Sequence, residues 1–151
     1  MALVYLLGID TNTGQQKIFD PNNDVPAIPG GFIRVLASVS AIDGKAAGDT
    51  ALITAPSDRK IVVHGVNLIV ESSSLVAVAG TAGVGTNGSA DNIIGPTLLS
   101  GLGGANSALF LPASAGGVLA DFNETINLGI DIGFTASSLV LTAELIGYYK
   151  A

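Results

Sequence analysis

Chemistry in this chain would have to start from very few groups. His64 is the one histidine, cysteine is absent, and the acidic side chains number 12. His64 lies within KIVVHGVNLIVE, residues 60–71, on the parity of Val62 and Val66, with no histidine or carboxylate near it in sequence to complete a metal pair. A Ser–His–Asp triad draws its members from distant positions, but no GxSxG elbow is present to mark a nucleophile. His64 therefore reads as a structural histidine. The lack of cysteine removes thiol nucleophiles, thiolate zinc sites and disulfide frameworks.

The other chemistry-bearing stretches are equally plain. GTAGVGTNG carries Gly80, Gly83 and Gly85 in a GxxGxG spacing. It lacks both the lysine and the following helix that a phosphate-binding loop needs. It reads as a glycine-rich β-loop, or as a place where chains approach closely. DPNND gathers Asp20, Asn22, Asn23 and Asp24, oxygen ligands of the kind calcium takes, without the spacing or closing glutamate of an EF-hand. Turn-forming Asx residues account for it. Glu124, Asp131 and Glu144 sit on the polar parity of two strand-like segments and could face one another across a sheet. A glycosidase needs its acid pair in a cleft lined for sugar. The chain has no tryptophan, and Tyr5, Tyr148 and Tyr149 fall in strand-like segments. No enzyme, cofactor or metal site is expected.

Composition narrows the partners. Charged residues make up 12% of the 151 residues and hydrophobic ones 48%, against about 25% charged in an ordinary domain. Mean hydropathy is +0.58, yet no run of 18 apolar residues exists to span a bilayer, and MALVYLLGID reads as a strand rather than a secretory leader. The net charge of −6 and the pI near 4.3 disfavour nucleic acid and anionic membranes, which need a basic face. The adjacent cations Arg59 and Lys60, preceded by Asp58, read as a solvated strand entry. A chain so poor in charge is expected to hide much of its surface in an assembly.

The elements that position these groups are strands. LVYLLGID, TNTG and QQKIF form a small N-terminal hairpin around a turn at Gly14. Residues 20–32, DPNNDVPAIPGGF, hold three prolines and two glycines, so they form an extended arm rather than a helix or central strand. FIRVLASVSAI alternates, with Ile33, Val35, Ala37 and Val39 sharing a face. TALITAP is a short strand. LVAVAG begins as a strand and runs into the glycine-rich segment. Residues 90–117 hold no lasting period, so loops are expected there with short strands near Ile93–Ile94 and Ala108–Leu111. ETINLGIDIGF and SLVLTAELIGYYK alternate cleanly. Helix formers are scarce and no amphipathic helical window appears. The expected fold is all-β: an antiparallel β-sandwich, with residues 1–32 as hairpin and arm and residues 33–151 as the sandwich domain.

APSDRKIVVHGVNLIVE, VGTNGSADNIIG, ETINLGIDIGF and the closing LVLTAELIGYY together resemble small β-sandwich proteins of tailed-bacteriophage virions, especially head decoration (cement) proteins and the β-rich tips of tail fibres. GIDTNTGQQKIFDPNNDVP is similar to the start of short phage structural proteins. The resemblance implies a jelly-roll-like fold, a homotrimer, and attachment to the major capsid protein at the capsid surface, with no catalytic residues. The alternatives are a tail component and a carbohydrate-binding sandwich used in host attachment.

KIVVHGVNLIVE is apolar on both parities, whereas a strand with one wet face alternates. The parity reading assigns Val62, Val66, Leu68 and Val70 to the core and Ile61, Val63 and Ile69 to an oligomer interface. A one-residue bulge near Gly65 would exchange part of that assignment. The arm, through Pro21, Val25, Pro26, Ile28, Pro29 and Phe32, is the expected capsid-docking segment.

Overall fold

The computed structural model describes residues 7–9, 16–18, 33–77, 80–87, 89–114, 116–132 and 135–151. The chain divides into two units, Met1–Phe32 and Ile33–Ala151. In the first, β1 (Leu7–Ile9) pairs antiparallel with β2 (Gln16–Ile18), Gly8 opposite Lys17.

The second unit is built from β3 (Arg34–Asp43), β4 (Gly48–Thr54), β5 (Lys60–Ala77), β6 (Thr81–Thr86), β7 (Ser89–Leu98), β8 (Ala108–Pro112), β9 (Val118–Ala120), β10 (Thr125–Ile132) and β11 (Thr135–Lys150). These strands form two antiparallel sheets. One has the order β4-β10-β6-β7; the other has the order β3-β11-β5-β8, with β9 also on β5. The protein is thus all-β, with its apolar core drawn from both sheets as in a β-sandwich.

The core forms where alternating side chains of the two sheets meet. Ile126, Leu128 and Ile130 of β10 and Ala82 and Val84 of β6 face Leu139, Leu141, Ala143 and Leu145 of β11 and Val66, Leu68 and Val70 of β5, all of them buried. The clean alternation of Ile126, Leu128 and Ile130 and of Leu139, Leu141, Ala143 and Leu145 is this inward face.

The two-sided look of KIVVHGVNLIVE has a local cause. In the β5–β11 ladder, Ile146 lies opposite Gly65 but Gly147 lies opposite Val63, so His64 is one residue more than the ladder needs. Such a bulge reverses strand parity. N-terminal to it the odd positions Ile61 and Val63 point inward; C-terminal to it the even positions Val66, Leu68 and Val70 do. All five have no exposed area. At about 2 kcal/mol per buried aliphatic side chain, they contribute on the order of 10 kcal/mol of gross burial. The same bulge lies opposite the interruption between β8 and β9, where Ala113 N–H donates to the His64 carbonyl at 2.9 Å.

Bulges also revise the first sandwich strand. Leu145 pairs with Ala37 but Ile146 pairs with Val35, leaving Leu36 extra in β3. Ala37 and Val39 pack on the core, and so does Leu36 from the opposite parity. Ile33 and Val35 instead stand 57% and 51% exposed. A second irregularity places Ala41 at φ 59°, a left-handed conformation that costs a non-glycine residue about 1 kcal/mol.

The middle of the chain is more regular than its sequence suggests. The glycine-rich segment is β6 itself, a central strand between β10 and β7. Gly83 faces Gly129, and Gly85 faces Asn127, on the side away from the core. Residues 89–98 form the ten-residue strand β7 rather than a short piece around Ile93–Ile94. It carries Gly95 and Pro96, which hide its period, and it tolerates them because it is an edge strand with an unpaired side. The strand expected near Ala108–Leu111 is β8.

Candidate interaction surface

The parity reversal decides which residues of β5 meet solvent. Ile61 and Val63, expected at an oligomer interface, are core residues. Of that set only Ile69 lies on the outer face, half-buried. Val62, expected in the core, points outward and is nevertheless 6% exposed. Gly117 closes over it: a Cβ added there would come within 2.6 Å of Val62 Cγ1, and the residue holds φ +86°. Gly65 is covered in the same way by the ring of Phe110 and the carbonyl oxygen of Leu111, leaving no room for a Cβ. Part of the second apolar face is thus covered by the chain itself. The residues expected to dock on a capsid, Pro21, Val25, Pro26, Ile28, Pro29 and Phe32, lie outside the described residues, as do Asp20, Asn22, Asn23, Asp24 and Tyr5.

The outer face of the five-stranded sheet remains substantially apolar. From β3 it presents Val35 and from β11 Ile146 and Tyr148. From β8 and β9 it presents Phe110, 47% exposed, and Leu119, 46% exposed. In its middle Asn67 Nδ2 donates to Glu144 Oε2 at 3.2 Å. His64 packs on Tyr148, ring centroids 5.7 Å apart. Glu71 accepts from the Thr142 hydroxyl and, at 3.4 Å, from Ala41 N–H. Charge is graded along the strands. Arg34 and Lys150 stand at the Gly147 end of the sheet, while Asp43 and Glu71 stand at the Val140 end.

The cations Arg59 and Lys60 are engaged within the fold. Lys60 Nζ lies 3.1 Å from Asp121 Oδ1 and 4.8 Å from the centre of the Phe122 ring. The Arg59 guanidinium lies 5.0 Å over Tyr149, with Asp58 3.7 Å from Nε. Asp121 Oδ1 also accepts from Phe122 N–H at 2.8 Å. That hydrogen bond first, and Lys60 second, hold the Asp121 carboxyl below its ordinary value. Glu124 Oε2 caps the same turn by accepting from Asp121 N–H at 2.7 Å.

The three carboxylates that could have met across a sheet are separated. Glu144 belongs to the five-stranded sheet, Asp131 to β10 of the other, and Glu124 to the turn before β10. Among the described residues no group of three His, Cys, Asp or Glu side chains could hold a metal ion. Sequence reasoning missed Phe110, Leu119 and Val35 as surface residues. The first two sit in segments without a readable period, and the third is displaced by the bulge at Leu36.

No family model matches the chain, and no curated protein does. Among solved structures, a chain of the capsid asymmetric unit of cyanophage Pam1 superposes with a TM-score of 0.51 at 19% identity. The match covers 86% of this chain and 96% of that one. The class defined by the fold is therefore an all-β sandwich of the kind found in a phage capsid.

Proposed function

We propose that this chain is a structural virion protein that decorates and stabilises a bacteriophage capsid. It acts as a homo-oligomer, a trimer, by packing rather than catalysis. The observation that carries the reading is the near full-length likeness to a chain of the cyanophage Pam1 capsid asymmetric unit. Strand order supports a jelly roll. Counting the strands from β3 as one to eight, with the short β9 left aside, the sheets read 1-8-3-6 and 2-7-4-5. This is the interleaving produced when a long paired ribbon rolls into two sheets. Low charge and an apolar outer face supply surface for burial against neighbours.

In this reading the arm that contains Pro21, Val25, Pro26, Ile28, Pro29 and Phe32 lies along the major capsid protein. Removing residues 1–31 should abolish binding to capsids; unchanged binding refutes the arm's role. Location is tested by gold-labelled antibody on virions of the phage that encodes the chain. Label distributed over the head is the expected result. Label confined to the tail replaces the reading with a tail-component role, and unlabelled virions overturn both. Light scattering should give the mass of three 15.0 kDa chains.

A further inference from the structure

We infer that the outer face of the five-stranded sheet is the contact between copies of this chain, centred on Val35, Ile146, Tyr148, Phe110 and Leu119. The inference rests on the homo-oligomer part of the reading above and names the surface that serves it. It replaces Ile61 and Val63, which the core claims, and keeps Ile69.

Size comes first. The face spans about four ladder positions at about 4.8 Å and the length of Val140–Tyr148 at about 3.3 Å per residue. That footprint is about 500 Å² before side-chain relief is added. Stable interfaces bury about 800 Å² per partner, so the face is of the right order to hold two copies together. Singly exposed apolar residues are ordinary, whereas Val35, Ile146, Tyr148, Phe110 and Leu119 gather in neighbouring rows across the sheet, and such a cluster marks an interaction site.

Charge selects a second copy as the occupant. The centre of the face carries Glu144, already hydrogen-bonded to Asn67. The ends are of opposite sign, with Lys150 at one and Asp43 and Glu71 at the other. Around a three-fold axis the acidic end of one copy meets the basic end of the next, a head-to-tail contact that closes at three. One surface thus supplies both halves of the complementarity. Nucleic acid and anionic lipid are repelled by the central carboxylate. Beside that carboxylate stand two rings, Tyr148 and Phe110, of the type that anchors interfaces.

The test is sedimentation of the purified chain, with Val35→Asp and Ile146→Asp as separate variants and Leu98→Asp as the control. Val35 is 51% exposed, so Val35→Asp leaves the core intact. Leu98 is 56% exposed and lies on the other sheet. Circular dichroism establishes that each variant is folded. The expected result is an oligomeric wild type and an oligomeric Leu98→Asp, with self-association weakened at least 100-fold in Val35→Asp and Ile146→Asp. An oligomer unchanged by either face variant overturns the inference and leaves the homo-oligomer reading standing. A monomeric wild type overturns both.

Discussion

Deleting His64 is the sharpest test of the parity reversal in β5. Removing one residue from the interior of a strand ordinarily turns every side chain on one flank to the opposite face. Here it should not, because His64 is the residue in excess. With it gone, Val63 joins Gly65 directly, Gly147 still faces Val63, and Ile146 still faces Gly65. Ile61 and Val63 stay inward. The losses are the hydrogen bond from Ala113 N–H to the His64 carbonyl and the ring contact with Tyr148. They amount to about 1 kcal/mol each, so about 2 kcal/mol in all. Were the strand regular, the same deletion would expel Ile61 and Val63, two fully buried side chains, at about 2–3 kcal/mol apiece and about 5 kcal/mol together. Urea unfolding followed by far-ultraviolet circular dichroism separates the cases. With a slope of about 1–2 kcal/mol/M, the expected loss lowers the midpoint by about 1–2 M and leaves the slope unchanged. A deletion variant that is unfolded in buffer, or that loses more than about 4 kcal/mol, refutes the placement of the bulge.

Ala41→Gly should raise stability by about 0.5–1 kcal/mol in the same assay, since glycine relieves the left-handed backbone at φ 59°. A loss of stability would show that the Ala41 methyl group contributes more than its backbone costs. Gly147→Ala places a Cβ against the Val62 carbonyl oxygen, which belongs to the ladder and cannot rotate away. The expected cost is about 3 kcal/mol, or a fall in Tm of about 10 °C, and an unchanged Tm would contradict the close approach of β11 to β5. For Asp121 the folded carboxyl is held below its ordinary value of 3.8. Its stabilising contribution is therefore fully present above that value and is lost as pH falls below it, through the folded pKa. Asp121→Asn should flatten stability against pH in that acidic window and leave the profile near neutrality parallel to wild type. An acid limb identical to wild type would remove Asp121 from that role.

The sequence by itself determined the class and most of the strands. ETINLGIDIGF declares itself because it has one dry and one wet face, and SLVLTAELIGYYK because Leu139, Leu141, Ala143 and Leu145 share a parity; period-2 alternation records both directly. Scarce helix formers and abundant β-branched residues were enough to point to an all-β chain. What only the tertiary structure decided was parity and membership. Ile61 and Val63 became core, and Val35 became surface, because bulges at His64 and Leu36 each insert one residue into a ladder, and a bulge is a property of two strands rather than one. The segment 89–98 became a strand despite Gly95 and Pro96 because it occupies a sheet edge, where a missing N–H goes unneeded. GTAGVGT became a central strand because its glycines lie opposite Gly129 and Asn127 on the outward side. The interaction surface is likewise assembled from Val35, Ile146, Tyr148, Phe110 and Leu119, residues far apart in sequence, and only the pairing of β3, β11, β5, β8 and β9 sets them side by side.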